Sequence, residues 1–164
     1  MIIALAVFLT FAAQWVLGLP ATPSWLQWTL LPMVWIVGPP MRHRFDRVFL
    51  TGLGLGLAWD VLFDPVVGPG AIAWSATALV AAWTVRKAGD HTARSWALIG
   101  AGGALVVAGV RYLALLPLGL AAVPRPVDLG VMAFSTGLWC GLVAVLLGLD
   151  LPARIRSFRR SRLR

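Results

Sequence analysis

Charged residues are scarce in this chain, and glutamate is absent altogether. Only 12% of the 164 residues are charged, whereas ordinary soluble domains have about 25%. Hydrophobic residues make up 60% of the chain, and the mean hydropathy is +0.86. This composition argues against an ordinary soluble domain and predicts a membrane protein.

Other absences limit the chemistry that the chain could perform. Cys140 is the only cysteine, so an internal disulfide framework is excluded. His43 and His91 lie in basic loops without cysteine or glutamate at metal-ligand spacing. The sequence contains neither a GK[ST] phosphate loop nor a Gly-x-Ser-x-Gly nucleophile elbow. We therefore expect no enzymatic activity, no cofactor and no metal.

Long uncharged runs are the main positive feature. Residues 1–41, 66–85 and 129–149 contain no charge, and a helix needs about 20 apolar residues to cross a bilayer. The first run resembles a signal peptide but lacks a positive start, which favours a retained helix. The pattern predicts an all-α integral membrane protein with six transmembrane helices over residues 1–152 and a basic tail over 153–164. The six predicted segments are 2–18, 25–38, 48–63, 70–85, 95–116 and 129–149.

The positions of the basic residues predict the orientation of these spans. With a cytoplasmic N-terminus, three basic residues fall in the first inside loop, three in the second and six in the tail. Twelve of the fourteen basic residues would then be cytoplasmic, as the positive-inside rule requires. Arg125 alone would lie in an outside loop, and Arg111 would lie within a span. We therefore expect both termini to be cytoplasmic, in a multi-pass protein of the bacterial inner membrane.

The arginines of the tail are predicted to contact anionic lipid rather than nucleic acid, since they follow a membrane span directly. They are Arg154, Arg156, Arg159, Arg160, Arg162 and Arg164.

Two aspartates near the end of the third segment are candidates for a functional or structural role. Asp60 and Asp64 are four residues apart and share one helix face. Asp60 and Arg111 lie at similar depth, about 20 Å and 25 Å from the cytoplasmic ends of their helices. Charged groups within spans usually face the bundle interior and pair with one another. We expect an Asp60–Arg111 pair or a shared polar cavity. Alternatively, Asp64 caps its helix before Pro65, and Arg111 reaches the outer headgroups.

Glycines of the third segment form a packing pattern. Gly52 and Gly56 have the small-xxx-small spacing that lets membrane helices approach closely. A dinucleotide-binding loop is excluded, because that fingerprint needs a preceding strand and a third glycine at another offset. Gly137 and Gly141 repeat the packing spacing in the sixth segment.

The same stretch resembles the rod shape-determining protein MreD family of bacteria. The family's most recognisable segment is a glycine-rich helix ending in Gly-Leu-x-x-Asp, then a short loop with glycine, then a Gly-x-x-Ala-like helix start. Here it reads Gly56-Leu57-Ala58-Trp59-Asp60, then Gly68, then Gly70-Ala71-Ile72-Ala73. The specific match covers residues 52–76. Asp64-Pro65 departs from the family, which often has small polar residues at this point.

The resemblance implies a non-enzymatic membrane subunit of the cell-elongation machinery. Such a subunit works beside an MreC-like single-span protein and supports peptidoglycan synthesis and cell shape. Glycine-lined helix faces and the region of Asp60 would then dock the partner. The family is also similar in fold to the substrate-binding membrane subunits of vitamin uptake systems. A small-molecule binding subunit is therefore the alternative, and it requires a sizeable outward cavity with several polar groups.

Overall fold

The computed structural model describes residues 2–38, 45–88 and 92–147, and every regular element in these ranges is a helix. The predicted all-α fold is therefore confirmed for this part of the chain. The α-helices are α1 (Ile2–Leu17), α2 (Ser24–Gln27), α3 (Val34–Val37), α4 (Phe45–Phe63), α5 (Pro69–Ala88), α6 (Ala93–Leu115) and α7 (Pro126–Leu146). Short 3-10 turns occupy Leu31–Met33 and Leu116–Leu118.

Local sequence signals explain where the long helices begin and end. Pro69 and Pro126 occupy the first turns of α5 and α7, where a missing N–H has no cost. Thr92 precedes α6 and accepts a hydrogen bond from the Ser95 amide at 3.3 Å. Helix α5 has basic residues in its last turn, and their positive charge interacts favourably with the negative end of the helix dipole. These ends agree with five of the six predicted segments to within about three residues.

The second predicted segment is not a single helix, so that prediction was wrong. Residues 24–38 form the one-turn helices α2 and α3, separated by an irregular stretch and a 3-10 turn. Pro32 causes the break, because it lacks an N–H and its ring clashes with the carbonyl of the residue four positions earlier. We call residues 28–33 the interrupted segment. It lies inside the bundle, with Leu31, Pro32 and Met33 all buried.

Two helical stretches, Ala93–Leu118 and Pro126–Leu146, are long and apolar enough to cross a membrane, and Ala4–Leu17 is a shorter apolar helix. Large apolar side chains also point away from the bundle. Phe8, Leu98 and Phe134 are 67%, 74% and 73% exposed. Isolated exposed apolar residues are normal in soluble proteins. In this chain, exposed apolar side chains occur on three different helices. The fold is therefore compatible with a helical membrane protein.

The core lies where α4, α5, α6 and α7 meet the interrupted segment and α3. Its largest fully buried side chain is Trp74 of α5, which packs with Met33 and Ile36 in one apolar cluster. Small residues allow this close packing. A Cβ added to Gly103 of α6 would lie 3.1 Å from Thr77 and 3.2 Å from the Met33 sulfur.

Candidate functional site

Helices α4 and α5 form the closest helix contact of the motif region. A Cβ added to Gly52 would lie 2.7 Å from the Trp74 carbonyl oxygen, and one added to Gly56 would lie 2.6 Å from the Ala71 Cα. Both distances are shorter than any packed Cβ contact, so only glycine permits this approach. The two glycines that match the MreD-like pattern thus lie at an internal contact.

Asp60 lies on the same face of α4 as Gly52 and Gly56. Its side chain reaches the first residues of α5. Its side chain is fully buried. Oδ2 accepts hydrogen bonds from the amides of Gly68 at 2.7 Å and Ala71 at 3.1 Å, and Oδ1 accepts one from Gly70 at 2.9 Å. The first N–H groups of a helix have no partner within the helix and carry a partial positive charge. Asp60 therefore caps α5 from a different helix.

Two glycines make room for this cap. Gly68 has φ +125°, a conformation that glycine adopts without strain. A Cβ added to Gly70 would lie 2.0 Å from Asp60 Oδ1, so any side chain at this position would displace the carboxylate. Asp60, Gly68 and Gly70 are consequently one structural unit, which we call the Asp60 cap.

Arg111 pairs with Asp64, and the expected Asp60–Arg111 pair is not formed. An Arg111 Nη donates to Asp64 Oδ1. The Asp60 carboxylate is instead fully buried and accepts three backbone hydrogen bonds at the start of α5. Asp64 lies one turn further along, in the loop that follows α4, where Arg111 of α6 can reach it.

The environment of the pair is asymmetric. The Asp64 side chain is 10% exposed and the Arg111 side chain is 37% exposed. Burial raises the pKa of the Asp64 carboxyl, Arg111 opposes that shift, and the neighbouring Asp60 adds to it. Asp64 Oδ2 is buried and has no hydrogen-bond partner among the described residues. The two aspartates are thus close neighbours with different roles, one capping a helix and the other holding an arginine.

A second set of polar contacts holds the interrupted segment. The Leu30 amide donates to Thr136 Oγ1 at 3.0 Å, and the Leu31 amide donates to Gln14 Oε1 at 2.8 Å. Trp139 Nε1 donates to the Leu31 carbonyl oxygen at 3.1 Å. Buried backbone groups outside a regular helix need such partners. Side chains of α1 and α7 therefore anchor the backbone of the interrupted segment.

The α6–α7 contact also depends on small residues. A Cβ on Gly100 would lie 2.7 Å from the Cys140 sulfur, and one on Gly137 would lie 2.8 Å from the Ala97 carbonyl oxygen. Cys140 is fully buried at this contact. The second small-xxx-small pattern, Gly137-xxx-Gly141, faces α6, since a Cβ on Gly141 would contact Ala97 at 3.2 Å.

Arg111 also borders a cavity at the end of the bundle that carries the loops 64–68 and 119–125. The cavity consists of two neighbouring pockets of about 460 Å³ and 450 Å³ that share lining residues, which we call its lobes. Both lobes are lined by Arg111 and by the same four other side chains, which are Trp28, Leu30, Trp59 and Met132. We call this space the Arg111 cavity.

Polar and apolar groups share the walls of the Arg111 cavity. The larger lobe adds Tyr112, Arg125 and Asp128, and the smaller lobe adds Gln14 and Gln27. Trp59 forms a fixed aromatic wall, with ring centroids 4.7 Å from Phe63 and 5.5 Å from Trp74. The volume of each lobe is in the range of known small-molecule sites, about 300–1,000 Å³.

A third space is an apolar groove of about 900 Å³ between α1 and α7. Its walls include Val16, Leu17, Phe134 and Leu138. None of the described residues that line this groove is charged.

The described residues contain no group of three or more His, Cys, Asp or Glu side chains that could hold a metal ion. The predicted lipid-contacting arginines from Arg154 to Arg164 lie outside the described residues, as do Arg42, Arg44 and His91.

The sequence identified Asp60, Asp64, Arg111 and the glycines as candidates. It did not reveal the side chains that form hydrogen bonds with the backbone of the interrupted segment. Gln14 and Thr136 are polar residues within apolar runs, and Thr136 follows a second polar residue, Ser135. Their sequence signal is this position, since a buried polar side chain requires a partner. Their partner is the backbone of another segment, which no side-chain pattern reveals.

No family model, no curated protein and no solved structure is significantly similar to this chain. The resemblance to MreD therefore depends on the motif residues 52–76 alone.

Proposed function

We propose that this chain is a non-enzymatic, six-span subunit of the bacterial inner membrane that docks an MreC-like partner in the cell-elongation complex. The observation that carries the proposal is the Asp60 cap. The most distinctive acidic residue of the MreD-like motif has both oxygens occupied by backbone amides. A carboxylate used in this way stabilises a helix pair and is unsuited to acid–base chemistry, which favours a scaffold over an enzyme.

The polar groups of the other helices support the same proposal. Gln14 and Thr136 hold backbone amides of the interrupted segment. The Thr77 hydroxyl donates to the Ala73 carbonyl within α5. Gln14 and Thr136 are thus used in forming the bundle, and the Thr77 hydroxyl is satisfied within its own helix. The surface left for a partner is therefore the outward apolar face of the helices together with the loops.

Co-purification is the main test of the docking role. The full-length chain is expressed with the MreC-like protein of the same bacterium, cross-linked in the membrane and purified. We expect the partner to be recovered in fixed proportion, whereas an unrelated six-span protein carrying the same tag recovers none. Loss of the chain from rod-shaped cells should also make them round. Absence of both effects would contradict the proposal.

Single substitutions on open helix faces would locate the docking surface. Gly54 of α4 and Gly102 of α6 have no atom within 4 Å of an added Cβ, so leucine at either position should leave the fold intact. The face whose Gly→Leu variant loses the partner is the interface, and the other variant serves as its matched control.

The topology is tested separately with reporter fusions. With six spans and cytoplasmic termini, a fusion near Arg47 reports the cytoplasm and one near Arg125 reports the periplasm. A cytoplasmic signal at Arg125 would overturn this arrangement.

The Arg111 cavity favours a second candidate function, that of a substrate-binding subunit of a small-molecule uptake system. Such a subunit needs an outward cavity with several polar groups. The larger lobe brings together four polar side chains, those of Arg111, Tyr112, Arg125 and Asp128. Stable co-purification of a small molecule, in the absence of any protein partner, would favour this candidate over the docking role.

A further inference from the structure

We propose that the Arg111 cavity binds an amphiphile that carries a phosphate group, with the phosphate at Arg111 and the apolar part on the aromatic wall. The proposal requires the membrane location proposed above but does not depend on a protein partner.

The first argument comes from the donors of Arg111. A guanidinium has five N–H donors and no acceptor, and Asp64 Oδ1 engages one of its Nη groups. Asp64 does not line either lobe, whereas Arg111 lines both. The side chain is 37% exposed. Asp64 therefore fixes the guanidinium at the cavity wall and leaves other donors for a ligand.

The second argument is the supply of hydrogen-bond donors in the wall. The larger lobe is bordered by two arginines, Arg111 and Arg125, and by one carboxylate, Asp128. Asp128 lies in the first turn of α7, where the helix dipole already stabilises a negative charge. Asp64 balances the charge of Arg111, so the excess in the wall is one of guanidinium N–H donors and not of net charge. Arginine binds phosphate through parallel N–H donors, which makes phosphate the matching headgroup.

The third argument is that the rest of the wall is apolar. Leu30, Trp59 and Met132 line both lobes, and Trp59 is held in place by two neighbouring aromatic rings. A free phosphate ion would leave this surface without a partner. A ligand with an apolar part covers it and removes water from the ion pair, which strengthens the contact to Arg111.

Binding is tested on the full-length protein in neutral detergent by titration calorimetry with three probes. Dioctanoyl phosphatidic acid has both the phosphate and the apolar part, dioctanoylglycerol lacks the phosphate, and phenyl phosphate is a water-soluble aromatic phosphate. We expect a phosphate probe to bind about tenfold to a hundredfold more tightly than dioctanoylglycerol, the range for hydrogen bonds to a charged group. Tighter binding of phosphatidic acid identifies a lipid source, and tighter binding of phenyl phosphate identifies a soluble one.

The decisive variant is the double substitution Arg111→Gln with Asp64→Asn. It removes one positive and one negative charge, so the net charge of the protein is unchanged and no buried carboxylate is left unpaired. Phosphate binding should fall about tenfold or more. Arg94→Gln, an exposed arginine in the first turn of α6, is the matched control and should bind as the original protein does.

A steric variant tests the site without altering charge. Ala108 lines the larger lobe, and Ala108→Trp fills this lobe with apolar bulk. It should reduce binding of the preferred phosphate probe, and it tests the site if the double variant does not fold. Equal binding of dioctanoylglycerol and phosphatidic acid, no binding of either phosphate, or equal losses in the double variant and Arg94→Gln would each overturn the proposal. None of these results bears on partner co-purification.

Discussion

Replacing Asp60 with asparagine should destabilise the bundle strongly, although the side chain keeps its size. Oδ2 accepts from two amides and Oδ1 from a third. The asparagine oxygen can still accept two hydrogen bonds, but its NH2 group would face the remaining amide, donor against donor. One buried N–H would then lose its acceptor, at a cost of about 1–3 kcal/mol.

The two hydrogen bonds that remain would also weaken. Hydrogen bonds to a charged group contribute about 1.5–3 kcal/mol and neutral ones about 1 kcal/mol, so the two together lose about 2 kcal/mol. Asparagine is easier to desolvate than a carboxylate, which offsets part of this loss. We expect a net loss of about 2–4 kcal/mol in the free energy of unfolding.

Equilibrium unfolding of the purified protein in lipid nanodiscs, followed by tryptophan fluorescence, measures this change. Asp128→Asn is the matched control, because Asp128 lies in the first turn of α7. Its loss should cost only the dipole contribution, about 0.3–1 kcal/mol. If Asp60→Asn were as stable as the control, the cap would contribute nothing and the reasoning would be refuted.

Three further predictions use the same unfolding assay. Gly56→Ala should cost about 1–3 kcal/mol through overpacking against α5, while Gly54→Ala, in open space, should be neutral or stabilising; equal effects would contradict the α4–α5 contact. Arg111→Gln should cost about 1–3 kcal/mol by leaving Asp64 without its cation, and adding Asp64→Asn should restore part of that loss. If the losses of Arg111→Gln and Asp64→Asn, measured singly, added up to the loss of the double variant, the ion pair would not couple the two residues. Thr136→Val should cost about 1–3 kcal/mol because the Leu30 amide loses its acceptor, and a neutral result would mean that another group replaces it.

The sequence predicted the helical class and the main helix segments because long apolar runs and terminal prolines are local signals. It also identified Asp60, Asp64 and Arg111 as the charged groups to examine, since charge is rare here. It assigned the wrong partner to Arg111. Depth along a helix placed Asp60 beside it, but depth does not reveal that backbone amides already occupy that carboxylate.

The interrupted segment was mispredicted for a similar reason. Apolar composition over residues 25–38 indicated a span, although the segment contains Pro32. Whether such a segment remains helical depends on what surrounds it. Here Gln14, Thr136 and Trp139 offer hydrogen bonds to the freed backbone, and those partners come from residues up to 108 positions away.

For the membrane subunit proposed above, the Asp60 cap has a consequence for insertion into the bilayer. Inserted alone, α4 would carry an uncompensated aspartate in its last turn, at a cost below the value of about 2.5–3.5 kcal/mol for the centre of a helix. The amides that satisfy this carboxylate belong to Gly68, Gly70 and Ala71, which the ribosome makes only after α4 is complete. We therefore expect α4 to wait at the translocon until α5 emerges, and the two helices to enter the bilayer together as one hairpin.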